Sequence, residues 1–353
     1  MAAELLDNLF FSDRAEPAWH GGMVAGIDPA RRYTAREMLD LMGGPSYLKL
    51  PLQTIATKQD GNHIAVPAFA IVRTPFGSHK EEATMGIVRE GYNLVTPDQI
   101  AQMWDDVTGK HVETGAFLRE GKLFLLTAKL NPIDVRGDAM QTYLGLHTWM
   151  DGLTASTALT SFVREVCMNT VQMAHQAAKQ MIRFNHDKWI LGRMGRWMAS
   201  VIDEAEHGIP ALAEAMNALA DYRLQAPKQE VLHVLTAAYP TPARPQMDPT
   251  WSKDYADLRE KKWDAEARLV TDRRTAALEL FKGRGTGMDS KAAAGTAWGL
   301  YNSVVEVEDW RGGGRAADAD ARAAAVLIGE RAEAKGRAWT AALQVARGEL
   351  VGV

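Results

Sequence analysis

A change of hydrophobic period partway along the chain does most to constrain its fold. Up to about residue 160 the apolar residues fall in short runs rich in β-branched and aromatic types, each bounded by Gly, Pro or Asp, which is the pattern of strands joined by tight turns. Beyond Asp187 the composition moves to Ala, Glu, Arg and Leu, with helical spacing over about 190–206, 209–222 and 226–238. Between these regions lies Ser161 to Asp187. There Val163, Val166, Cys167, Val171, Ala174, Ala177, Ala178 and Met181 recur at i, i+3, i+4 and i+7, opposite Arg164, Gln172, His175, Gln176, Lys179 and Arg183. This spacing predicts one long central helix with an apolar and a basic face. The fold class that follows is α+β: an N-terminal antiparallel β-rich domain packed on the central helix, then a mostly helical C-terminal half.

In chain order, Thr34 and Gly43 cap a short helix over AREMLDLM. LQTIATK, HIAVPAFAIVR and TMGIVRE read as antiparallel strands around the turn Asp60-Gly61-Asn62. Thr96-Pro97-Asp98 opens a helix through IAQMWDDV. KLFLLTAKL, TYLGLHTWM and LTASTALT supply further strands, broken at Gly137-Asp138 and Asp151-Gly152. Tyr239 to Pro249 carries four prolines in eleven residues and so forms neither a helix nor a central strand. The domain reading is therefore 1–187 for the β-rich part with its helix, 188–238 for a helical extension, 239–250 for a Pro-rich linker and 251–353 for a helical C-terminal region. Leu258, Ala265, Leu269, Ala276 and Leu280 mark a long helix there, and an Ala-rich helix closes the chain from about Ala316 to Arg347.

With 353 residues, 46% of them hydrophobic, the chain can bury a sizeable core without staples. Its single cysteine, Cys167, rules out an intrachain disulfide and fits a reducing compartment as a buried inert thiol. No apolar run is long enough for a bilayer span, and the first residues are acidic rather than basic. The expectation is a soluble cytoplasmic protein of a bacterial cell with no membrane contact. A formal charge of −4 opposes wholesale coating of duplex DNA, but a local basic groove depends on the distribution of charge.

Such a run exists. Lys179, Arg183, His186, Lys188, Arg193 and Arg196 lie within eighteen residues whose one acid is Asp187, and Arg164 shares the basic side. Cations in this density neutralise phosphates, and Phe184, Trp189 and Trp197 bring faces on which unpaired bases stack. The competing reading is a solvated helix face, with Trp189 and Trp197 in the core. Asp134, Asp138, His147 and Asp151 sit at strand ends, where they either converge on a hard divalent cation or simply form turns; their spacing matches no metal motif. Gly283-Arg284-Gly285-Thr286-Gly287 has no preceding strand and no Gly-Lys-Ser/Thr ending, so it is not a phosphate loop. There is no nucleophile elbow, paired-cysteine zinc motif or HExxH. No cofactor and no catalytic residue are assigned.

PAWHGGM, MGIVREGYNLVTPDQ, ETGAFLREGKLFLLTAKL, the pair Gly137-Asp138, DGLTAST, VREVCMNTVQMA, RFNH and GTAWGLYNSVVEVEDW, in this order, resemble the phage/plasmid-like protein family catalogued as domain of unknown function 932. Two departures are Gly22-Met23, where the family commonly has Leu-Gly, and Asp187, where a Thr usually follows the histidine aligned with His186. The resemblance implies carriage by phages and mobile elements. The order of elements is also similar to that of phage single-strand annealing proteins of the RecT, Red-beta and Erf type. Together these give the leading functional expectation: non-catalytic binding of single-stranded DNA in phage recombination or replication, with strand annealing, by a homo-oligomer using Arg164, Lys179, Arg183, His186, Lys188, Arg193 and Arg196. An interaction or assembly protein working through its Ala-rich helices is the second reading. A metal-dependent nucleic-acid enzyme using the acidic turns is the third.

Overall fold

The computed structural model describes residues 5–11, 21–23, 31–53, 55–57, 59–109, 112–164, 169–171, 181–248, 250–311 and 330–349. The strands are β1 (Leu5–Phe11), β2 (Gly21–Met23), β3 (Tyr47–Leu52), β4 (Ile55–Thr57), β5 (His63–Ala65), β6 (Ala68–Arg73), β7 (Ala83–Val88), β8 (Thr114–Leu118), β9 (Leu123–Lys129), β10 (Ile133–Val135), β11 (Asp138–Trp149), β12 (Ser156–Arg164), β13 (Asn169–Val171) and β14 (Met181–Phe184). The α-helices are α1 (Ala35–Met42), α2 (Pro97–Thr108), α3 (Ile190–Asp221), α4 (Pro227–Ala238), α5 (Lys253–Glu279), α6 (Ala297–Glu306) and α7 (Glu330–Ala346). Strands first and helices afterwards make the chain α+β.

The central sheet runs β13-β12-β11-β9-β8-β1-β2 and is antiparallel except where β1 meets β2. β11 is long enough to hold β9 and β10 end to end on one side, and β12 likewise holds β13 and β14. A separate antiparallel sheet, β3-β6-β7, docks where β7 meets the turn after β11. There a Cβ on Gly86 would fall 1.9 Å from the Asp151 carbonyl oxygen, so the backbones touch only because this residue is glycine.

The caps read from sequence at the first two helices hold in detail. Thr34 and Glu37 form a capping box, Gly43 closes α1 in the left-handed conformation, and Ala35, Met38, Leu39 and Met42 are buried at i, i+3, i+4 and i+7. Thr96 and Gln99 repeat the device at α2, with Pro97 in the first turn. The long central helix expected over Ser161 to Asp187 is not there. Ser161–Arg164 completes β12, and Asn169–Val171 and Met181–Phe184 are β13 and β14, paired along it; residues 165–168, with Cys167, and 172–180 lie outside the described residues. Thr160, Val163, Thr170 and Val171 are β-branched, and pairing along β12 prevails over a periodicity that short apolar segments satisfy by chance. The long helix comes later. Segments expected as two runs, 190–206 and 209–222, are one continuous helix of 32 residues.

Two cores result. The first gathers Tyr33, Met38, Ile71, Trp104, Phe117, Phe124, Leu126, Leu144 and Leu146 with Ile190, Met194 and Met198 of α3. The second gathers Leu212, Met216 and Leu219 of α3 with α4, α6, α7 and the β10–β11 hairpin residues Ile133, Val135 and Met140. Trp298 Nε1 donates to Asp138 Oδ2 at 2.8 Å, tying α6 to the sheet. Two π-helical turns, Leu280–Arg284 and Val307–Arg311, flank this core. The second places Glu308 and Asp309 in the interior, where Lys335 Nζ donates to Asp309 Oδ1 at 2.8 Å. The Pro-rich 241–248 stretch has no regular structure and lies along α5: Trp263 Nε1 donates to the Pro242 carbonyl at 3.0 Å, and Arg244 pairs with Glu260.

Candidate nucleic-acid interface

β14 ends at Phe184, and the chain turns over five residues to enter α3 at Ile190. Asp187 organises that turn. Its Oδ1 accepts the Trp189 amide at 2.8 Å and its Oδ2 accepts Arg193 Nη1 at 2.7 Å. The Arg193 guanidinium and the Trp189 amide hold this carboxyl below the usual carboxylate range. Because Arg193 also reaches the Asn185 carbonyl at 3.2 Å, its charge is committed to the turn.

The Trp189 side chain has no such commitment. It is 66% exposed, with Lys188 Nζ 5.1 Å from its ring centroid. This corrects the expectation that Trp189 belongs to the core. Trp197 is half-buried and packs edge-on against the buried Phe184, as core residues do. At the start of α3, its N-cap residue Trp189 stands with Gly192 and Arg196 at i, i+3 and i+7, and all three are exposed. Arg196 has no ion-pair partner among the described residues.

That face borders an open cleft of about 650 Å³ between α2 and α3. Met103, Val107, Leu191 and Gly195 give it an apolar floor, and Gly192 leaves its α3 wall open. Gly195 has a packing reason, since a Cβ there would lie 3.1 Å from Val107 Cγ2. Around the rim stand Arg36 and Arg196, Asp98 and Asp106, and Gln99 and Gln102. Arg36 lies 3.7 Å from Asp98, and Gln102 donates to Asp106 at 2.8 Å. None of the α1 or α2 rim residues was singled out from sequence as a site residue; Asp98 was read only as part of the start of α2. Their signal was the polar i, i+3, i+7 series Gln99, Gln102 and Asp106 on α2, which on its own looks like any solvated helix face.

The other expected contacts are distributed differently. His186 is 8% exposed, stacks on Tyr92 with ring centroids 4.9 Å apart, and places Nδ1 2.9 Å from the Tyr92 hydroxyl and Nε2 3.0 Å from Ser156 Oγ. Burial lowers its pKa, so near neutral pH it is an uncharged interior group rather than a phosphate ligand. Arg164 ends β12, paired with Asn169 and Met140, and Arg183 sits in β14 opposite Thr157. Lys179 lies outside the described residues. The structure thus gathers Lys188, Arg193 and Arg196 at the start of α3 and removes His186 from the set.

The acidic candidates do not converge. Asp134 accepts the Gly137 amide in the β10–β11 turn, and Asp138 is buried against Trp298. Asp151, at the far end of β11, accepts the Leu153 and Thr154 amides. Asp134 and Asp151 are turn formers. His147 is buried within β11, and burial pushes its pKa down to about 4. Among the described residues no group of three or more His, Cys, Asp or Glu is placed to hold a metal ion, and no helix is long and apolar enough to cross a membrane.

No curated protein and no solved structure matches the chain. A family model does: that of the domain of unknown function DUF932 aligns with residues 84–327, from the start of β7 past α6, and the chain belongs to that family.

Proposed function

We propose that this protein binds single-stranded DNA without performing chemistry on it, at the exposed face that opens α3, in phage-type recombination or replication where annealing of complementary strands follows. The exposed Trp189 ring beside Lys188 carries the reading. A large aromatic left in water has forgone the stabilisation of burial, and a ring flanked by a cation matches what an unpaired base and its phosphate present. Arg196, two turns along the same face, extends the cationic track by roughly 10 Å at the helical rise. Contacts of this kind grip backbone and base faces and leave the pairing edges free.

Binding of labelled single- and double-stranded oligonucleotides, followed by anisotropy over a salt series, tests the proposal. The single strand binds preferentially, and Trp189→Ala weakens it by about 1–3 kcal/mol, roughly five- to 150-fold, whereas Trp189→Phe keeps most of the affinity. Lys188→Ala and Arg196→Ala each flatten the logarithmic salt slope by about 0.7. No single-strand binding at low salt, or equal binding by Trp189→Ala, overturns the reading.

One observation favours the assembly reading. α5 buries only Ala277 fully, while Tyr255, Leu258 and Leu269 are exposed at positions 3 and 14 residues along from the first, on one side of the helix. A seam with this heptad spacing suits a second copy of the chain. Particle mass that falls on Leu258→Glu while oligonucleotide affinity stays constant assigns assembly to that seam.

A further inference from the structure

We infer that the cleft between α2 and α3 is a pocket for a single unpaired base, one that carries an exocyclic amine, with Arg196 on the adjoining phosphate. The inference rests on the single-strand reading and goes beyond it, from a surface that stacks bases to a cavity that selects among them. The volume of about 650 Å³ lies within the range of about 300–1,000 Å³ typical of small-ligand sites. Its floor of Met103, Val107 and Leu191 suits the flat apolar face of a base, and methionine adapts to such faces. Gly192 is what admits the ligand: any side chain at that position would project from α3 beside the mouth.

The rim argues for a base rather than a chain of phosphates. Two arginines are balanced by two aspartates, so the cleft has no net charge with which to hold a polyphosphate. Among the described residues Asp106 accepts one side-chain hydrogen bond, from Gln102, and a carboxylate has about four acceptor sites. It can therefore accept from the amine of cytosine, adenine or guanine, as carboxylates do from cytosine N4. Thymine lacks that amine and flanks its one N–H with two carbonyl oxygens, which a carboxylate repels. Among the described residues Arg196 has no ion pair that it would have to break, and its Nη1 lies 3.6 Å from where a Gly192 Cβ would be, at the entrance.

The test uses the whole protein with deoxynucleoside 5′-monophosphates as probes, followed by calorimetry, alongside homopolymeric single strands. Gly192→Leu projects a side chain into the mouth, and its Cβ meets only the flexible end of Arg196. Asp106→Asn is the second variant: it keeps the shape and removes the negative acceptor. The cleft is supported if dCMP, dAMP and dGMP bind about tenfold more tightly than dTMP, Gly192→Leu abolishes this, and Asp106→Asn erases the preference. If single strands bind but dC and dT polymers bind alike and both variants match the wild type, the pocket is overturned while the α3 surface stands. If monophosphates bind at the cleft but no polymer does, the pocket stands as a free-nucleotide site and the single-strand reading falls. If neither probe binds, both fall.

Discussion

His147 makes the stability of the sheet depend on pH in a way that can be worked through. It lies in β11 between Leu125 of β9 and Thr157 of β12, 3% exposed, and its Nδ1 has no hydrogen-bond partner among the described residues. Removal from water disfavours the imidazolium and pushes the pKa from 6.5 to about 4. The folded-state value is the lower one, so as pH falls the unfolded chain takes up the proton first. The contribution is complete above pH 6.5 and is lost progressively down to about pH 4. At about 1.36 kcal/mol per pH unit the whole interval is worth about 3 kcal/mol, of which about 2 kcal/mol is gone by pH 5. His147→Leu, a side chain already common on these strands, removes this contribution. Urea unfolding of both proteins at pH 7.5 and pH 5 isolates it, because every other titrating group, including His186, is common to the two and cancels in the difference. The wild type should lose about 2 kcal/mol more than the variant over that range. Equal losses would show that His147 is solvated or paired, and would refute the reasoning.

Other perturbations probe the second core and the α6 junction. Lys335→Met removes the cation paired with the buried Asp309 carboxylate and should cost about 3–5 kcal/mol, with most of the loss recovered when Asp309→Leu is added; chemical denaturation of the single and double variants measures both. Gly299→Ala places a methyl group 1.9 Å from the Ala293 carbonyl oxygen, so the start of α6 must move. A loss of about 1–3 kcal/mol or more is expected in thermal melts, and an unchanged midpoint would show that the approach is looser than described.

The legible parts of this fold were those fixed by neighbouring residues. Both capping boxes, Thr34 with Glu37 and Thr96 with Gln99, involve residues three apart, and Gly43 closes α1 within one turn. The stretch after Thr160 was not legible because its structure is set by partners elsewhere: Phe162 faces Thr142, and Thr157 faces Arg183. Valines at i, i+3 and i+8, as at 163, 166 and 171, serve either a helix or a strand, and only the free edge of β12 decides between them. The site shows the same division. The cationic run around Arg193 could be read directly, but whether each charge was free could not. Asp187 takes up Arg193, and Ser156 with Tyr92 encloses His186, through contacts up to 94 residues apart. The α2 wall of the cleft depends on how two helices meet, which no local spacing reports.

α3 belongs to both interiors at once. Ile190, Met194 and Met198 anchor its opening turns in one, and Leu212, Met216 and Leu219 anchor its closing turns in the other. At 32 residues it is roughly 48 Å long, and a packed helix of that length bends only gently. It therefore acts as a beam with both ends clamped. Trp189 and Arg196 therefore stand on the same continuous helix that carries Met216 into the α4–α7 packing. The surface that opens α3 and the helical half are thus joined by one unbroken run of backbone hydrogen bonds rather than by a linker.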